Sequence, residues 1–334
     1  MRMNRWFAAL LAVASVSAMA QANWGVTRTF PIGGDGGWDY VTVDAPGHRL
    51  FVTRSTHTMA IDSDSGKVLG DIEGQKGSHG VAIAPKAGRG FITDGGGTGA
   101  IVVFDLKTYA VLGRLAAMPD ADGIIYDAKL DRVLAVSGDG ASLMTWKPDI
   151  DLAAGKVETI ALGGKPEFLA SDGSGKVWIN LVDKDLVAVV DVAAGKVVAR
   201  WPVAPGGSPV GMALDAQGRK LILGCRKPAL MVVMNADTGK VEGSLPIGAG
   251  VDATAVGGGE AFASAGDGTL TVAAEKDGAF AVVQTVKTPL LARTMGMDAA
   301  THQIFLATAD ADPVTTGRPR PKPGTFKIVV VGQQ

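Results

Sequence analysis

WDYVTVD at positions 38–44 has counterparts at six further places: SHGVAIAP (78–85), ADGIIYD (121–127), PEFLASD (166–172), PVGMALD (209–215), VDATAVG (251–257) and ARTMGMD (292–298). Each is a short apolar strand running into a turn marked by Asp, Pro or Gly. Their second residues are Asp39, His79, Asp122, Glu167, Val210, Asp252 and Arg293, spaced 40, 43, 45, 43, 42 and 41 residues apart. Self-similarity at this period, with four short strands per unit, is the signature of a β-propeller.

Working outward, every unit follows the same order. A second strand comes after the first turn, as in RLFVT (49–53), RGFIT (89–93), RVLAV (132–136), KVWIN (176–180) and KLILG (220–224). A third strand follows, such as IVVFD (101–105) or VAVVD (187–191), and the turn after it is often of the form D-x-x-x-G-K-V, as at 62–68 and 191–197 and, with Asn235 leading, at 235–241. Gly66, Gly195 and Gly239 supply its positive-φ position. The last unit has almost nothing left for a fourth strand after KIVVV (327–331). The segment GVTRTFPI (25–32) fits that role, and closing the last blade with it removes an open sheet edge. The expectation is all-β: a seven-bladed propeller whose last blade is completed by an N-terminal strand, one domain over residues 23–334.

The first residues read differently. MRMNR (1–5) is basic, residues 6–18 are apolar, and Ala18-Met19-Ala20 forms a small-residue cleavage site, with Ala20-Gln21-Ala22 as an alternative. This predicts a signal peptide over 1–20, cleaved after Ala20 or Ala22, and a periplasmic or secreted protein without a membrane span. One cysteine, Cys225, excludes a disulfide framework. With 32 basic and 33 acidic residues there is no general attraction to nucleic acid.

LFVTRS (50–55), GFITDG (90–95) and the repeated D-x-x-x-G-K-V turn resemble the YncE-like, or YVTN-repeat, family of exported seven-bladed propellers. The resemblance covers essentially all of the chain after the leader. It implies a periplasmic or cell-surface propeller, largely without an established reaction, because such repeats mark a fold more than an activity. One member is associated with DNA binding, and related propellers include lactonases, metal-dependent lyases and haem-carrying reductase domains.

In a propeller the first strand of each blade lines the central channel. Asp39, His79, Asp122, Glu167, Asp252 and Arg293 are therefore expected at one channel mouth, with Val210 interrupting the ring. Like charges about 7 Å apart repel by roughly 2 kcal/mol at an effective dielectric near 20. Four carboxylates so placed call for a proton, a bound cation or a cationic ligand group. Asp39, Asp122, Glu167 and Asp252 offer oxygen ligands suited to Ca²⁺ or Mg²⁺. A purely structural polar collar is the competing reading.

Loops after the second strands overhang the same mouth and contribute Arg54, His57 and Asp94; Arg54 with His57 is placed to meet an anion. The insertion DADPVTTGRPRPKPGT (310–325) is basic and polyproline-like, a surface loop or a lid. The function expected is binding of a small ligand or partner at an acidic channel mouth by a monomer. The rivals are a metal-dependent lactonase- or lyase-like enzyme, a protein-interaction scaffold, and a DNA-binding propeller.

Overall fold

The structure is a computed structural model that describes residues 23–276 and 278–334. The leader predicted over 1–20, with its cleavage sites, lies outside the described residues. Among the described residues the elements are strands, apart from one 3-10 turn at Pro85–Ala87.

The strands form six antiparallel sheets, five of four strands and one of seven. The larger sheet arises from one long strand, Val68–Ala84. Its first part pairs with Ser55–Asp62 and its last part with Arg89–Asp94, so two repeat units share one unbroken strand. Strands bearing the repeated segment touch in sequence order: Val41–Asp44, Val68–Ala84, Ala121–Asp127, Pro166–Ser171, Pro209–Asp215, Val251–Gly257 and Thr294–Asp298. The last of these touches the first. Side chains at the start of those strands therefore face a common centre.

Local chemistry explains the hairpins. At the turn after the third strand, Asp62 accepts the Ser65 hydroxyl at 2.6 Å and the Ser65 amide at 2.8 Å. Those bonds hold its carboxyl below the usual range. Asp105 and Asn235 accept the corresponding amides of Thr108 and Thr238 at 2.7 and 3.0 Å. Gly66 has φ of 74°, and a methyl group there would overlap the Phe30 ring.

The core is divided among the interfaces between neighbouring repeat units. Phe51 packs on Phe104 with centroids 5.5 Å apart, and Phe91 on Trp146 at 5.8 Å. Burying one such side chain contributes about 1.5–3 kcal/mol. The N-terminal strand Trp24–Pro31 is the outermost member of the C-terminal sheet, paired with Lys327–Gln333. Trp24 fastens it to the adjacent sheet: its ring meets Phe262 edge-on at 4.8 Å, and its indole N–H donates to Glu260 at 3.2 Å. Its amide donates to Gln284 Oε1 at 2.9 Å, and Gln284 Nε2 donates back to its carbonyl at 2.7 Å.

Candidate functional site

The repeated second residue sits where its strand departs from regular pairing. His79 and Gly80 lie between the pairs Ser78–Asp94 and Val81–Ile92, so two residues oppose Thr93 alone. The same irregularity falls at Asp122, Glu167, Val210 and Asp252. A bulge at a strand end re-aims the side chain it carries. Hydroxyl groups near the ends of second strands hold these bulges. Thr53 Oγ1 donates to the His79 carbonyl at 2.6 Å, Thr93 Oγ1 to that of Asp122 at 2.5 Å, and Ser264 Oγ to that of Arg293 at 2.5 Å. Thr93 Oγ1 also accepts the Gly80 amide at 2.8 Å.

The ring residues separate into two groups. In the first, His79 Nδ1 lies 2.7 Å from Asp39 Oδ2 and 3.6 Å from Asp122 Oδ1. Burial disfavours the charged imidazole, but the Asp39 hydrogen bond and the Asp122 and Asp39 charges outweigh it and raise its pKa to about 9. Asp122 Oδ1 is buried without a hydrogen-bond partner. Burial, then the neighbouring carboxylates, push the Asp122 carboxyl well above the ordinary range, with His79 acting in the opposite direction. Glu167 is raised by burial and by Asp39, against the pull of Arg226. On this side of the mouth the raised pKa values all favour keeping a proton.

In the second group Asp252, 7 % exposed, is the hub. Its Oδ1 accepts from Arg226 Nη2 and its Oδ2 from Arg293 Nη1. Arg226 Nε also donates to the Val251 carbonyl at 3.1 Å. Val210 is fully buried and leaves its repeat without an ionisable ring residue, while Arg226, at the end of Lys220–Arg226 in that repeat, reaches the mouth instead. Burial and the nearby Arg318 and Arg226 charges lower Arg293 to about 10.

Tyr40 and Phe168 meet across the channel below both groups. Their rings lie 4.8 Å apart, and the Tyr40 hydroxyl donates to the Glu167 carbonyl at 3.3 Å. Burial and the surrounding carboxylates keep the phenol well above its ordinary pKa. Above them, Arg226, Arg293 and Arg318 line a cavity of about 520 Å³. Beyond them, a space of about 340 Å³ is lined by apolar residues including Val43, Ile124 and Leu169.

Three loop residues expected near the ring have other partners. Arg54 is 1 % exposed; it donates to the Gly37 and Asp35 carbonyls at 3.1 and 2.8 Å and lies 3.7 Å over the Phe326 ring. It anchors the 33–37 segment to the base of the Pro-rich insertion, so its guanidinium is not presented to an anion beside His57. His57 Nε2 faces Asp71 at 4.0 Å. Asp94 Oδ1 accepts the Lys76 and Gly77 amides at 2.9 and 2.8 Å, and Oδ2 meets Arg114 at 3.2 Å. Of the four carboxylates expected to hold a cation, Asp39 and Asp122 join His79 in a group whose ligand atoms all lie within 4.8 Å of one another. Asp252 is committed to its two arginines. Cys225 is buried, its thiol pushed up to about 12 chiefly by that burial, which leaves it inert.

No family model and no curated protein matches the sequence. Solved structures do match the fold. The WD40 β-propeller domain of Doa1 superposes with a TM-score of 0.71 at 13% identity, over 93% of this chain and 97% of that one. The WD40 repeats of RRP9 give 0.77 at 10% identity, over 92% and 97%. A chain of Kuenenia stuttgartiensis hydrazine synthase gives 0.69 at 12% identity, over 88% and 96%. The fold is a β-propeller. No helix among the described residues is long and apolar enough to cross a membrane.

Proposed function

We propose that this chain is a seven-bladed, exported propeller that binds a small ligand or partner group at one mouth of its channel. The observation that carries the binding reading is the meeting, at one mouth, of the Asp39–His79–Asp122 cluster and an arginine-lined cavity above the Tyr40–Phe168 pair. Buried ionisable groups with displaced pKa values concentrate at functional sites. The sevenfold count follows from the repeat and from taking Val68–Ala84 as two strands in one. Export, and kinship with the YncE-like propellers, rest on the leader and on LFVTRS, GFITDG and the hairpin turns. Intact mass after expression in a bacterial periplasm tests the leader: the expected product begins at Gln21 or Asn23, and an uncleaved chain overturns export.

A thermal-shift screen of anionic, cationic and neutral metabolites tests binding. Ligands that raise Tm should lose their effect in Asp39→Asn or Arg293→Met and keep it in His302→Ala, on a turn far along the repeat from the mouth. Hits indifferent to the mouth substitutions would overturn the reading.

A second reading is favoured by the Asp39–His79–Asp122 group. A divalent cation such as Ca²⁺ or Mg²⁺ held there would replace the shared proton, and could support lactonase- or lyase-like chemistry by polarising a carbonyl. Calorimetric titration of chelator-treated protein with Mn²⁺, Mg²⁺ and Ca²⁺ tests it. Absence of binding at pH 8 would exclude the metal-dependent enzyme. The interaction-scaffold reading uses the same face with a protein partner. The DNA reading meets an acidic cluster at the mouth, which disfavours a phosphate backbone.

A further inference from the structure

We propose that the cavity walled by Arg226, Arg293 and Arg318 receives an oxyanion group, a carboxylate or a phosphate ester, of a small organic ligand. This rests on the reading of the mouth as a ligand site and specifies which chemistry that site takes.

Three guanidinium groups face one space of about 520 Å³, within the size range of small-molecule pockets. Each carries five N–H donors in a planar fork suited to bidentate contact with carboxylate or phosphate. Few of these donors are used. Asp252 takes one contact from Arg226 and one from Arg293, and Arg226 spends Nε on the Val251 carbonyl. Arg318 has no hydrogen bond or ion pair among the described residues. Burial and then the Arg226 charge lower its pKa, with Asp39 pulling the other way, and its own charge in turn lowers Arg293.

The one carboxylate in the wall, Asp267, is already turned aside. Its Oδ2 accepts the Ala249 amide at 2.6 Å and its Oδ1 the Thr269 hydroxyl at 2.7 Å. Among the lining residues, three arginines stand against the single carboxylate Asp267, while Asp252 beside the cavity holds Arg226 and Arg293. Arg318 is the wall residue whose donors are all free among the described residues.

Arg318 is delivered by the Pro-rich insertion, whose ends are fixed. Lys322 N–H donates to the Asp310 carbonyl at 2.7 Å, Lys322 Nζ pairs with Asp312 at 2.7 Å, and Gly324 N–H donates to Asp35 Oδ1 at 2.7 Å. Between these anchors, Pro313, Val314 and Pro319 contribute apolar wall. An anionic head on the arginines would therefore leave the carbon part of a ligand against proline and valine.

The test is isothermal titration of the full chain at low ionic strength with citrate and with pyrophosphate, and in a separate arm with spermidine. The expected result is saturable binding of citrate or pyrophosphate, weakened at least about fivefold in Arg318→Ala. Arg318 lies in an exposed loop, so Tm should not move, and Arg226→Lys, which keeps charge but loses the fork, provides a second variant. Binding unaffected by either variant overturns the proposal, as does absence of anion binding. If spermidine binds and the anions do not, the oxyanion assignment fails while the ligand-binding mouth stands. If none of the three binds, both fail.

Discussion

The Thr53 hydroxyl donates to the His79 carbonyl at 2.6 Å, linking the second strand of one repeat to the channel residue of the next. The bond fixes a bulge, and through it the direction of an imidazole. Thr53→Val removes one hydrogen bond and should cost about 1 kcal/mol in urea unfolding. Thr93→Val also strands the Gly80 amide and should cost about 2 kcal/mol. Equal losses at the two positions would show that bulge satisfaction contributes nothing extra.

His79 should make stability fall at alkaline pH. Its folded pKa is about 9, above the roughly 6.5 of an unfolded histidine. The folded state favours the protonated ring, so its stabilisation is complete below pH 6.5 and disappears as pH rises through 9. The stability difference between wild type and His79→Gln should shrink by on the order of 1–2 kcal/mol over that window. A difference that is flat with pH, or an NMR titration near 6.5, would contradict this.

Asp122 has the opposite linkage. Its carboxyl is raised, so the folded state retains a proton that the unfolded chain releases. The penalty is absent at pH below the unfolded value and grows as pH climbs through the folded one. Asp122→Asn should therefore raise Tm at pH 8, leave it unchanged at pH 3, and lower the His79 titration below 9. Destabilisation at pH 8 would mean that the carboxylate is structurally required.

Asp252→Asn should be among the most costly substitutions at the mouth. It leaves Arg226 and Arg293 without their shared counter-charge, a loss of about 3 kcal/mol for a buried pair. Combining it with Arg293→Met should recover part of that loss, measured by a double-mutant cycle.

Trp24→Ala should cost about 3–5 kcal/mol and expose the Lys327–Gln333 strand to pairing with other chains. Concentration-dependent association by light scattering is the expected consequence; an unchanged monomer with an unchanged Tm would refute the fastening role.

Strands and hairpins were legible because their signals are local. Period-two apolar residues, and Asp62 or Asn235 ahead of a glycine, declare themselves within seven residues. The bulges were hidden, since an extra residue such as Gly80 leaves the apolar pattern intact. Pairing at the mouth was hidden for another reason. Asp252 meets Arg293 from the following repeat and Arg226 from the preceding one, and neither contact follows from spacing along one strand. Arg54 and Arg226 both lie near the ends of second strands, yet only Arg226 reaches the mouth. The 33–37 segment and Phe326 wrap over Arg54, a long-range event invisible in RLFVTR. Nothing in WDYVTVD sets Tyr40 apart from any other strand aromatic, because its stacking on Phe168 joins two distant repeats.

That stacked pair has a consequence for traffic. With Tyr40 and Phe168 in contact and the Tyr40 hydroxyl tied to the Glu167 carbonyl, the pair stands between the polar and apolar ends of the axis. A molecule seated among the arginines and one in the apolar well beyond would meet opposite sides of the same two rings, so passage along this side of the axis requires the rings to part.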